Sequence, residues 1–181
     1  MAGPKSVAPG PGAHRDLYRR DVDSAVSQFG VAHAWPAIYS ARARRICYRV
    51  IFTECDWWNY ANASVALSLT YVPNDGCPKS GGDKNSVGLY QQRAQWWGDT
   101  AGSMSPAIAT RRFLDRMLID APDWFVADEP GTCQHVQRSQ FDGVTVNPAT
   151  GKPYPFAQNY RDRDAQVSAL IADQMYFTHE S

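Results

Sequence analysis

At 181 residues the chain is long enough for one domain with a substantial buried core. Its 18 Lys+Arg balance 18 Asp+Glu, so no overall charge draws it to nucleic acid or to a membrane surface, and neither partner is expected. No apolar run approaches the about 18 residues of a transmembrane helix, which argues against membrane insertion, and nothing in the composition calls for a cofactor.

Residues 1–14, with Pro4, Pro9 and Pro11 among glycines, read as a disordered leader or linker, and 15–181 as the folded domain. The leader lacks the apolar core of a signal peptide, so the protein stays where it is made, leaves by another route, or is a piece of a longer chain. From Arg15 to Phe29 the apolar positions recur at three and four residues, which predicts an amphipathic helix ending near Gly30. A second helix is predicted from about Pro36 to about Trp57. At 100° per residue Glu54 falls about 20° from Ala43 and Cys47, continuing their apolar stripe, while Arg42, Arg45 and Arg49 form a separate basic face.

Residues 58–104 show little periodicity and many Gly, Asn, Asp and Pro, as expected of a cleft-lining excursion carrying a short β-hairpin from Leu67–Val72 and Val87–Gln91. Helix resumes after Ser105-Pro106 and ends near Pro122. A shorter helix is expected at about Cys133–Gln140, and a last one from about Phe156 to Phe177 burying Val167, Leu170, Ile171 and Met175. The fold class is therefore mostly α: a helical domain with a long loop region carrying a small β element.

Glu54 is the centre of the chemistry. A carboxylate ending a core-facing stripe is partly desolvated, which favours the protonated form that a general acid needs. Glu129, beside Pro130-Gly131, reads as a loop residue, and Glu180 is penultimate. Asp56, Asp75, Asp83 and Asp99 are the possible second carboxylates, as glycosidases usually employ a pair. The six Trp include two doublets, Trp57-Trp58 and Trp96-Trp97. Adjacent side chains diverge on a helix or strand, so one of each pair is expected at a surface or cleft. Such aromatics suit sugar stacking, and Asn59, Gln91 and Gln92 suit hydroxyls and acetamides. The cysteines, Cys47, Cys55, Cys77 and Cys133, lack zinc-site spacing. If Cys47 and Cys55 share a helix they lie about 12 Å apart and cannot pair with each other. Free thiols, or one bridge to Cys77 or Cys133, remain open.

Several segments together resemble the lysozyme-like transglycosylase domain of lysins from phages of actinobacteria, related to soluble lytic transglycosylases and goose-type lysozymes. They are the apolar helix ending in Thr53-Glu54, the Trp-rich stretch with Tyr60-Ala61-Asn62, and the Tyr71-Val72-Pro73-Asn74-Asp75 loop. Further along come Gly82-Asp83, Ser86-Val87-Gly88-Leu89-Tyr90-Gln91-Gln92-Arg93, Trp97-Gly98, Met104-Ser105-Pro106, Val136-Gln137-Arg138-Ser139 and Tyr160. The resemblance spans roughly residues 20 to 175. It implies an α+β lysozyme-like fold and cleavage of the β-1,4 bond between N-acetylmuramic acid and N-acetylglucosamine in peptidoglycan, with Glu54 as the sole acid/base. It further implies a substrate-binding set of Tyr90 and Gln91, to which the reading of the residues adds Trp57, Trp58, Tyr60, Gln92, Trp97 and Gln137. Asp75 or Asp83 would serve as base in a hydrolytic variant, and a non-catalytic wall-binding or virion module is the reading from another class. Where the family usually has a serine after the glutamate, this chain has Cys55. The partner expected is the peptidoglycan glycan strand, met by a monomer or by part of a longer lysin. The absence of an export signal fits a lysin held in the host cytoplasm until release to the wall.

Overall fold

The computed structural model describes residues 14–76 and 85–177, the side chains of 174–177 excepted. Helix α1 (Arg15–Ala32) buries Tyr18, Val22, Val26 and Phe29 along one stripe. It runs through Gly30 instead of stopping there. A Cβ on Gly30 would lie 2.4 Å from Ser40 Oγ, so glycine serves the close approach to the next helix rather than a helix end.

That helix, α2 (Ala37–Glu54), is the axis of the fold. It packs on α1 and on later helices, and Ala43, Ile46, Cys47, Val50 and Ile51 are all fully buried. The helix ends at Glu54, three residues before the expected Trp57. Asp56 and Trp57 then adopt φ of 50° and 67°, which turns the chain back under the helix. A 3-10 turn follows at Ala66–Thr70, then the short helices α3 (Ala94–Trp97) and α4 (Thr100–Met104). The hairpin expected between 67–72 and 87–91 does not form. The first segment is the 3-10 turn, and Val87 pairs instead with Gln92 in a single bridge. Asp99 caps α4 through the Gly102 amide (2.7 Å), so this aspartate serves a helix end.

Helix α5 (Pro106–Asp120) follows a Ser105 cap with Pro106 at its start, and buries Phe113, Leu114 and Met117 against α1. Each such fully buried side chain contributes roughly 1.5–3 kcal/mol. Helix α6 (Glu129–Gln137) begins four residues before the expected Cys133, because Asp128 caps the Gly131 amide at 3.0 Å. It stops at Arg138, which is left-handed with φ 53°. The small sheet lies beyond it, β1 (Val146–Asn147) antiparallel to β2 (Lys152–Pro153) across the Pro148–Gly151 turn. The last expected helix is two: α7 (Gln158–Arg161) and α8 (Asp164–Phe177). Val167 and Leu170 are buried and Ile171 packs against the core, while the side chain of Met175 lies outside the described residues. The architecture is mostly helical with one small two-stranded sheet.

The basic face of α2 is only partly solvated. Arg49 is 2% exposed, and Arg42, Arg45 and Arg49 all converge on the Glu129 carboxylate, at 3.6, 3.1 and 3.2 Å. Arg49 also pairs with Asp164 and donates to the Tyr160 carbonyl. Glu129 is therefore held on α6 as the clamp between α2 and α6, not in a loop. Among the described residues no helix is long and apolar enough to cross a membrane.

Candidate active site

Glu54 is half-buried at the end of α2 and opens into a cleft of about 1170 Å³. Tyr160, from α7, donates its hydroxyl to Glu54 Oε1 at 2.9 Å. Burial, and then the neighbouring Glu54 carboxylate, push the Tyr160 phenol well above its ordinary range, so it remains a donor throughout the neutral range. The cleft wall opposite is the segment 86–93. Gly88 permits its tight turn, with φ +77° and its Cα so close to α4 that a Cβ would meet the Ser103 carbonyl at 1.9 Å. Its amide donates to the Tyr60 carbonyl (2.8 Å). Cys55, standing where the resembled family has serine, donates its thiol to the Leu89 carbonyl at 3.0 Å, which ties the end of α2 to that wall. Burial raises the thiol well above its usual value, so it stays protonated and able to donate.

Of the residues singled out from sequence, Glu54, Tyr60, Tyr90, Gln91, Trp97 and Gln137 line this cleft. Tyr90 does so with its ring packed inward: it is 1% exposed, stacks on Phe113 and bonds Thr110, while its carbonyl accepts from Gln137 Nε2 (3.1 Å). Gln91 bonds the Gly88 carbonyl and shapes the turn. Trp58 is outside the cleft lining but stacks on Tyr60, with nearly parallel rings 5.7 Å apart.

Four expectations need correction. Trp57 is a core residue, 3% exposed and edge-on to Tyr48 and Phe52, because the positive-φ turn swings it inward. Gln92 is fully buried and donates to the Ala109 carbonyl, since the bridge to Val87 directs it into the core. Asn59 is likewise buried, spending its amide on the Pro73 and Met104 carbonyls. Asp75 does not line the cleft; its carboxylate, 9% exposed, accepts from the Asn59 backbone N–H (2.7 Å) and pairs with His14 (2.8 Å). It stitches the 59–76 loop together. Asp83 and Cys77 lie outside the described residues.

Tyr160, fully buried and bonded to Glu54, was not among the expected site residues, nor were Arg93, Arg138, Asp162 and Arg163, which line the cleft together with Trp96. The Trp96-Trp97 doublet and the Gln137-Arg138-Ser139 run were the available signals for some of them. Asp162 is exposed and accepts from Gln158 Nε2 at 2.7 Å. Cys47, Cys55 and Cys133 are free and buried. No group of three or more His, Cys, Asp or Glu able to hold a metal ion occurs among the described residues. No protein-family model matches the chain, and no curated protein is significantly similar to it.

Proposed function

We propose that the protein cleaves the β-1,4 bond between N-acetylmuramic acid and N-acetylglucosamine in bacterial peptidoglycan, as a phage lysin with lytic-transglycosylase chemistry. The observation that carries the reading is a helix-terminal glutamate, half-buried in an open cleft and hydrogen-bonded by a tyrosine that cannot itself ionise near neutrality. Protonated Glu54 gives its proton to the glycosidic oxygen as positive charge develops on the sugar ring. The resulting carboxylate then takes the proton of the muramoyl 6-hydroxyl, whose oxygen closes a 1,6-anhydro ring. One carboxyl group suffices for both steps, and no water is activated. The withdrawal of Asp75 into the 59–76 loop supports this route over hydrolysis with Asp75 as base. Tyr60, Gln91, Trp97 and Gln137 offer ring faces and amides for N-acetylated sugars. The enzyme waits in the host cytoplasm until the membrane is breached.

The test is clearance of purified cell walls with mass spectrometry of the released muropeptides. Glu54→Gln should lower clearance by at least about 10²-fold while the wall is still bound. Undiminished clearance would sink glycosidase chemistry at Glu54 altogether. Products with reducing ends and no anhydro sugars would replace the transglycosylase by a hydrolytic muramidase. Wall binding by the unmodified protein without any release of fragments would make it a binding module.

A further inference from the structure

The chain as a whole is neutral, and among the described residues its cleft is lined by three guanidinium groups, Arg93, Arg138 and Arg163, beside two carboxyl groups, Glu54 and Asp162. Arg93 is part of a built arrangement. Its Nε donates to Ser86 Oγ at 3.3 Å, and its guanidinium lies 5.1 Å from the ring centre of Trp96, an indole 64% exposed within the cleft. Arg138 projects from the left-handed position that ends α6, 67% exposed and 3.3 Å from Asp120. Arg163 keeps a buried Nε with no hydrogen-bond partner among the described residues.

A neutral N-acetylhexosamine polymer presents hydroxyls and acetamides, which Gln91 and Gln137 can serve. It offers guanidinium groups nothing better than water does. A carboxylate does: it forms charge-assisted, often two-pronged bonds with arginine, strengthened where cleft walls exclude solvent. Muramic acid carries such a group on its lactyl ether, either free or extended into a peptide that bears further carboxylates. We propose that Arg93, with Trp96 as the flat surface beside it and Arg138 and Arg163 as flanking cations, selects glycan strands by their carboxylates. This rests on the peptidoglycan reading above and narrows it: a chitin-like neutral strand is a poor ligand.

Binding without cutting separates the two claims. In a Glu54→Gln background, affinity is measured for three soluble strand preparations: peptide-bearing, peptide-stripped with the lactyl carboxylates left free, and peptide-bearing with all carboxyl groups amidated. Amidation should weaken binding about tenfold, the scale of one hydrogen bond to a charged group. Full affinity of the stripped strands would put the lactyl carboxylate at Arg93, and its loss would put the peptide there. Adding Arg93→Gln should weaken the native strands about tenfold and bring native and amidated strands to the same affinity. Arg138→Gln, at an exposed position, repeats the test with a smaller loss of discrimination should Arg93→Gln melt early. Equal affinity for native and amidated strands, equal losses on both from Arg93→Gln, or no binding to any preparation would overturn the proposal. Continued wall clearance by Glu54→Gln would instead overturn the catalytic reading, leaving charge selectivity to be judged by binding.

Discussion

Tyr160 and Glu54 meet at 2.9 Å although 106 residues separate them in the chain. The tyrosine holds one carboxyl oxygen and so fixes which way the other faces. Under the proposed chemistry Tyr160→Phe keeps the buried ring and removes only the donor. Clearance of purified walls should fall about tenfold, the scale of a hydrogen bond to a charged group, in kcat more than in KM and with little change in melting temperature. An unaltered rate would leave the bond with no catalytic part. Half of this pair was legible in sequence. Helical phase placed Glu54 beside Ala43 and Cys47 because α2 stays regular to its last residue. Its partner was not, because periodicity carries no information about contacts between distant elements. Trp57 shows the complementary failure. Phase arguments stop at the helix end, and a two-residue turn of positive φ turned an expected sugar platform into core. Gln92 failed for a similar reason, since alternation along 87–92 is broken by a turn through Gly88 at φ +77°.

Among the elements, α6 is attached to α2 through buried charge. Its first residue, Glu129, is only 10% exposed and gathers three arginines of α2, one of them 3% exposed. Removing the carboxylate strands Arg49 in the interior with Asp164 as its remaining acidic partner. Breaking a buried ion cluster in this way costs about 3–5 kcal/mol. Glu129→Gln should therefore lower the melting temperature by roughly 6–20 °C for a chain of this size, measurable by calorimetry. A change within a degree or two would mean that the cluster is loosely solvated. The arginine face was visible in the sequence as a pattern, but its partner was misplaced. Pro130-Gly131 reads as loop until Asp128 is seen capping the helix that they begin. The small sheet was misplaced for a related reason. The polar stretch from Asn59 to Asp75 satisfies its backbone through side chains of Asn59, Asn62 and Ser68 rather than through strand pairing. The strand pair instead formed at 146–153, beyond the shorter helix and ahead of the last one.

Across the whole molecule, the core buries titratable protons on three thiols and three phenols. Burial pushes the Cys47 thiol up to about 12 and raises Cys55 and Cys133 well above the ordinary thiol value near 9. Burial also raises the Tyr18, Tyr90 and Tyr160 phenols above their ordinary value near 10. In the unfolded chain these groups ionise at ordinary values, whereas the folded chain keeps its protons. The folded state thus binds more protons as pH rises past about 9, and unfolding becomes easier there. The stability these groups contribute is complete below that point and declines above it, by up to about 1.4 kcal/mol per pH unit for each group between its two values. Urea melts under reducing conditions should accordingly be flat between about pH 7 and 8.5 and weaken progressively from about pH 9 to 11. Cys47→Ala should make the decline shallower by one proton's worth, even though its starting stability is lower. A stability that stays level to about pH 11 would refute the linkage. The half-buried Tyr60 phenol is raised in the same direction, and Lys152 is the one lysine among the described residues. An alkaline decline therefore reports on the packing around α2, where Cys47 and Cys55 lie and against whose Ile46 carbonyl Cys133 rests. That same packing holds Glu54 at the mouth of the cleft.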